Sequence, residues 1–158
     1  MTNAGKSTDI LQTAAKPGLF RVLAAIFYDV WLIAAIWLLG TTVDTFLREA
    51  LIGSVHEGGH LPLQLWFLLS PLLFYGWFWT HGGQTLGMRA WRIRIVNGEG
   101  GAISWSQSAK RYFAAFLSWG VAGLGYLWIL FDRDNCSWHD RLSGTYLVLT
   151  AKRKKVRR

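Results

Sequence analysis

Charge is what this 158-residue chain has little of. Only 16% of its residues are charged, against about a quarter in an ordinary soluble domain, and those charges are clustered, leaving long stretches almost bare of them. Proline is scarce, at three residues, and no Gly-x-y period runs through the chain, which excludes collagen-like and proline-rich disordered classes. The single cysteine, Cys136, excludes an intrachain disulfide framework and says nothing about redox compartment. What is abundant is apolar: 52% hydrophobic residues, 15% aromatic, with ten tryptophans. The length suits one domain with a single core, and the shortage of polar surface makes lipid the expected solvent for the apolar stretches.

Three stretches are long enough to cross a bilayer. Val22 to Leu39 carries one charge, Asp29, in eighteen residues, whereas Leu61 to Thr80 and Tyr112 to Phe131 carry none. About 20 mainly apolar residues span ~30 Å of hydrocarbon as a helix. Buried helices of a soluble core are the competing reading, but three of them would leave too little polar chain to cover them. Trp31, Trp37, Trp66, Trp77, Trp79, Trp119 and Trp128 lie within or near the ends of these stretches, as befits a ring that is apolar with one N–H needing a wet partner. The first eighteen residues are polar and mixed, with no evident cleavage site after them, so the first apolar run is read as a retained helix rather than a signal peptide.

Lys and Arg number three before the first helix core, one in the first loop (Arg48), five in the second loop (Arg89, Arg92, Arg94, Lys110, Arg111) and eight from Arg133 onward. The positive-inside rule then places the N-terminus, the second loop and the tail in the cytoplasm. Three full crossings would export the most basic part. The third stretch contains Gly120, Gly123 and Gly125, three glycines in six residues, each costly inside a helix. A helix from about Ser104 to Trp119, a glycine turn and a short return helix over Tyr126 to Phe131 would make a re-entrant hairpin with both ends cytoplasmic. An ordinary third crossing with a flexible waist is the alternative.

Between these stretches, Thr41 to Leu51 places Val43, Phe46, Leu47, Ala50 and Leu51 at helical spacing, a short amphipathic helix extending the first crossing or lying on the outer surface. Trp91 to Val96 alternates apolar and basic residues before Asn97-Gly98-Glu99-Gly100-Gly101, and Thr145 to Thr150 is rich in β-formers. Both are expected as strands, paired in a small ribbon on the cytoplasmic face. Lys152 to Arg158 is a basic tail expected to lie on anionic headgroups, each charge worth about 1 kcal/mol near the surface. Nucleic-acid binding is not expected, because basic inner flanks are ordinary in membrane proteins.

Asp29 is the residue most in need of a reason. A carboxylate at the centre of a membrane helix costs roughly 2.5–3.5 kcal/mol on insertion scales, so it must meet a cation, line a wet cavity or take up a proton. Arg21 lies eight residues earlier on the same sector, about 12 Å away along the axis at ~1.5 Å per residue. The pair reads either as part of an ion, proton or solute pathway or as a polar packing contact.

Arg21 with Asp29, followed near the end by Trp138-His139-Asp140-Arg141-Leu142-Ser143-Gly144-Thr145, resembles the RDD family of bacterial membrane proteins. Gly83-Gln84-Thr85-Leu86-Gly87-Met88-Arg89 looks like the family's middle motif, with Met88 departing from the usual lysine, and Arg111 falls at another basic position. The likeness covers residues 17–150, leaving a polar segment over 1–16 and the basic tail over 151–158. It implies a role in transport, sometimes sodium/proton antiport, with Asp29, Arg21 and Asp140 as the ion or ligand site. Arg111, Gln84, Thr85, Arg89, His139, Gly144 and Thr145 would support that site. The physical picture is an Arg21–Asp140 pair at the mouth of the first helix, Asp29 deeper as the binding group, His139 assisting or capping, Gly144 supplying a turn and Thr145 starting a strand.

Three other signals carry less. His56-Glu57-Gly58-Gly59-His60 matches the zinc-protease HExxH pattern, but the Gly-Gly pair and nearby Pro62 oppose the helix that chemistry needs. His139-Asp140 has the look of a metal-phosphohydrolase dyad without the other ligands. Ala114, Ser118 and Ala122 form a small-residue face suited to helix packing. The expectation is therefore an all-α multi-pass protein of the bacterial cytoplasmic membrane, a small bundle of transmembrane helices with a short cytoplasmic β-ribbon. It is expected to need no cofactor, to be no enzyme, and to transport an ion or small solute, as a homo-oligomer because one short chain has few helices to enclose a path. A non-transporting adaptor, assembly factor or regulator, with Arg21, Asp29 and Asp140 structural, is the competing class.

Overall fold

Leu19–Ile52 forms one continuous 34-residue helix, α1, ended by Gly53 in the left-handed conformation. At ~1.5 Å per residue it is about 51 Å long, so the amphipathic segment from Thr41 extends the apolar run instead of forming a separate helix. This is a computed structural model, and it describes residues 15–53, 61–134 and 136–150. The His56–His60 pattern, the polar residues 1–14 and the basic tail over 151–158 lie outside the described residues. After α1 come α2 (Leu61–His81), α3 (Leu86–Ala90), β1 (Ile93–Asn97), α4 (Trp105–Gly120), α5 (Leu124–Leu127), a 3-10 turn over Trp128–Leu130, α6 (Trp138–Ser143) and β2 (Thr145–Leu149).

Both α1 and α2 are long and apolar enough to cross a membrane, with mean hydropathies of 2.2 and 1.3 in their best windows. Large side chains such as Phe20, Trp31, Leu38, Leu39, Phe46 and Leu73 stand more than half exposed on them. Apolar surface on that scale is unstable in water and at ease in lipid. The helices meet at Trp37, whose indole N–H donates to the Ser70 hydroxyl (3.1 Å). Pro71 follows inside α2 and denies one carbonyl its helical donor. Close to that break, the Tyr112 hydroxyl donates to the Leu68 carbonyl (3.1 Å), tying α4 to α2.

The two expected strands pair antiparallel, in a register from Ile93 opposite Leu149 to Asn97 opposite Thr145. Ile93 and Ile95 turn inward and join Val22, Ala25, Trp79, Met88 and Ile103 in the main core cluster, while Arg92 and Arg94 stay exposed. The ribbon also gathers both ends of the domain. Leu149 N–H donates to the Ala15 carbonyl (2.8 Å), and Ile95 N–H to that of Gly83 just past α2 (2.7 Å). Lys16 pairs with Asp134 across 3.5 Å.

The third apolar stretch does not form a straight helix. After α4 the chain turns through Ala122 and Gly123, both at positive φ, and continues at 105° to α4. The return begins at Leu124, two residues before the expected Tyr126, and its second half tightens into the 3-10 turn. By Gly144, just beyond α6, the chain is back beside the start of α4, where the Gln107 amide donates to the Gly144 carbonyl (3.4 Å). Gly125 allows the fold-back, because a Cβ there would lie 2.0 Å from Ser118 Oγ.

Gly123 stands at φ +76°, where a Cβ is strained. Gly123→Ala is therefore expected to cost about 1 kcal/mol, read as a fall of several degrees in the thermal midpoint in detergent. An unchanged midpoint would show that the turn is relaxed without glycine.

Candidate functional site

Asp29 lies in the N-terminal half of α1 and is 2% exposed. Its partners come from the turn after α2. Thr85 Oγ1 donates to Oδ2 (2.5 Å), and the Gly87 backbone N–H donates to Oδ1 (2.9 Å). Thr85 is also the N-cap of α3, accepting from Met88 N–H at 3.1 Å, so one hydroxyl closes α3 and holds the carboxylate. Gly87 is needed for the approach: a Cβ there would sit 2.2 Å from the Ala25 carbonyl and 2.9 Å from Asp29 Oδ1. Among the described residues no cation lies within ion-pair distance of Asp29. The carboxylate thus has its hydrogen bonds without a neutralising charge.

Asp140 has the opposite arrangement. It is the third residue of α6 and forms a capping box with Ser137. Its Oδ2 accepts from Ser137 N–H (2.8 Å) and Ser137 Oγ (2.5 Å), while Oδ1 accepts from Arg111 Nη1 of α4. The same Nη1 donates to Thr145 Oγ1 (2.7 Å), which is 2.7 Å from Ser143 Oγ. The Arg111 guanidinium lies 5.4 Å from the centre of the Trp79 ring, within cation–π range. Burial works against the charged form of Asp140, but Arg111 and the cap donors outweigh it and hold the carboxyl below the usual carboxylate range. Next to it, burial first and the Arg111 charge second push His139 down to about 3, so its ring is neutral at ordinary pH. The ring packs 4.5 Å from that of Tyr126, and its Nδ1 has no hydrogen-bond partner among the described residues.

Both groups meet at one cavity of about 560 Å³ between α1, α2, α4 and the return segment. Asp29, Arg111 and His139 are its ionisable wall, with Tyr75, Trp79 and Tyr126 close by. Apart from Gln64 and Tyr112 the remaining lining is mainly apolar, and includes Val30, Phe116 and Trp119, which stay more than half exposed.

The expected site residues are only partly brought together. Asp29 is joined to Thr85, and Asp140 to Arg111 and Thr145, as parts of one cavity wall and its support. The expected Arg21–Asp140 pair does not form. The guanidinium on Asp140 belongs to Arg111, because α4 lies against α6, and among the described residues Arg21 makes no side-chain hydrogen bond or ion pair. Arg89 is exposed and likewise uncommitted. Gln84 acts on the backbone, donating to the Ile93 carbonyl (2.7 Å) and fixing β1 beside the α2–α3 turn. Gly144 ends α6 at φ +63°, and Thr145 opens β2, as expected. Ser137 was not singled out, although Ser-x-x-Asp before a helix is a capping signal. Among the described residues no group of three or more His, Cys, Asp or Glu is placed to hold a metal.

Breaking the buried pair has a defined cost. Arg111→Met leaves the Asp140 charge buried and is expected to cost about 3–5 kcal/mol in denaturant unfolding, whereas Arg111→Met with Asp140→Asn is expected to cost distinctly less. Equal losses would mean that the charges are not coupled. His139 is neutral when folded but binds a proton below about 6.5 when unfolded, so the folded state loses stability as pH falls from about 6.5 toward 3. The slope approaches about 1.4 kcal/mol per pH unit. His139→Gln is expected to flatten the fall in thermal midpoint between pH 6.5 and 4.5, and an unaltered slope would refute a buried neutral imidazole.

Compared with known proteins, residues 16–144 match the model of the RDD family. The chain is also 32% identical over 89 residues to "Uncharacterized protein YxaI" of Bacillus subtilis (strain 168), an alignment covering 56% of this chain and 58% of that protein. No solved structure matches it. With the family match extending over most of the chain, this protein belongs to the RDD family.

Proposed function

We propose that this chain is a multi-pass protein of the bacterial cytoplasmic membrane that carries a cation or small solute in exchange for protons, with Asp29 as the binding group. One observation carries the reading: a buried carboxylate with two hydrogen-bond donors and no ion-pair partner among the described residues forms part of a cavity wall. Intramembrane ionisable groups on a cavity are functional candidates by default. The end that holds the ribbon, the start of α1 and α6 also carries exposed Arg92, Arg94 and Arg141, which favours placing it in the cytoplasm. The third stretch then enters and leaves from that side. Self-association supplies the further helices that enclose a path, and the reaction is translocation, not catalysis.

The competing reading is a non-transporting adaptor or regulator, and one observation favours it. Asp29 joins α1 to α3, and Asp140 joins α4 to α6, so each acidic group also has a structural use. Purified protein in sealed vesicles containing a pH-sensitive dye separates the two. Addition of an external cation is expected to drive a proton signal, which Asp29→Asn lowers at least tenfold while the protein still elutes as a folded species. A signal unchanged by the substitution, or absent from the unaltered protein, removes the exchanger reading. A reporter enzyme fused after Arg158 is expected to be active only on the cytoplasmic side.

A further inference from the structure

We propose that the Asp29 cavity takes a lipophilic organic cation: a compact apolar body bearing one protonated amine or quaternary ammonium or phosphonium centre. The inference rests on reading the cavity as a ligand site and names the class of ligand.

Charge decides the sign of the ligand. Arg111 is neutralised by Asp140, whose own oxygens are further occupied by Ser137. His139 is uncharged at ordinary pH. That leaves the Asp29 carboxylate as the wall's uncompensated charge among the described residues. A wall with net negative charge and low surrounding polarity favours a cation and rejects an anion.

The wall chemistry sets the rest. A small hydrated metal ion needs several oxygen ligands to replace its water, and the oxygens beside Asp29 are few. An organic cation needs no such cage, because it is weakly hydrated and is attracted to the faces of aromatic rings. Tyr75, Trp79, Tyr126, Trp37, Phe67 and Phe116 all line this cavity. Its volume, about 560 Å³, falls within the usual range for sites of drug-sized molecules, about 300–1,000 Å³. Access agrees as well: Val30, Phe116 and Trp119 line the cavity and are still more than half exposed, so the cavity is open between the helices. A ligand dissolved in the bilayer can therefore enter sideways without crossing the polar end.

Tetraphenylphosphonium and tetraphenylborate, nearly identical in shape and opposite in charge, test this directly. Binding to the full chain in phosphatidylcholine nanodiscs is measured by equilibrium dialysis, with empty nanodiscs subtracted. The cation is expected to bind saturably and to quench tryptophan fluorescence, with the anion at least about tenfold weaker. Asp29→Asn is expected to lower the cation's affinity about tenfold or more, a size consistent with losing one desolvated charge contact. Asp29→Glu, which keeps the charge, should retain the preference. Ala34→Trp, which fills the cavity at an exposed wall position and leaves Asp29 in place, should abolish saturable binding. Equal binding of the two ions, or cation binding indifferent to both Asp29→Asn and Ala34→Trp, overturns the proposal. If Asp29→Asn does not fold, Asp29→Glu and Ala34→Trp still decide it. Selective cation binding without a proton signal in vesicles would remove the exchanger reading and leave this one standing. A proton signal without selective binding would do the reverse.

Discussion

A charge removed from water must be met by something, and this fold is arranged around two carboxylates that are met differently. Asp140 receives a guanidinium and a helix cap. Among the described residues, Asp29 receives one hydroxyl and one backbone N–H, with no cation. Replacing a full counter-charge with two hydrogen bonds stabilises the carboxylate less, so Asp29 remains the group most ready to accept a positive partner. The cavity lies where that unmet demand is.

The two sites also divide the mechanical work. Thr85 and Gly87 hold α1 against the short helix that leads into β1, and Arg111 holds the bent third stretch against α6 and the start of β2. The ribbon lies between these attachments and collects them at one end of the molecule. At that end the core is dense with Ile93, Ile95 and Val22. Farther along α1 and α2 the helices are covered mainly by whatever surrounds them, because large apolar residues there point outward.

Much of this was legible in the sequence, for physical reasons. Apolar length announced α1 and α2, a period of two announced both strands, and clustered glycines announced the break after Gly120. The same glycines placed the bend of the third stretch, which turns by 105° there. The choice of arginine was not legible. Arg21 was the expected partner because it and Asp140 fall on the same, cytoplasmic side, whereas Arg111 reaches Asp140 only through the packing of α4 on α6, which no local pattern encodes. The Ser137 cap is readable in principle from Ser-x-x-Asp before a helix, but α6 is only six residues long and shows no helical period to mark its start. The neutral state of His139 follows from its burial beside Arg111 and has no signature in the chain itself.

The order of synthesis gives the Arg111–Asp140 contact a further meaning. Asp29 waits 56 residues for Thr85, and Arg111 another 29 for Asp140. Until residue 140 has been added, the guanidinium at the base of the bent segment lacks the counter-charge it has in the folded domain. The contacts that hold that segment through Arg111 are complete only once α6 and β2 have emerged. A chain halted before Asp140 would carry an unpaired positive charge beside an apolar segment not yet packed on α6, so this contact joins parts of the domain made at different times.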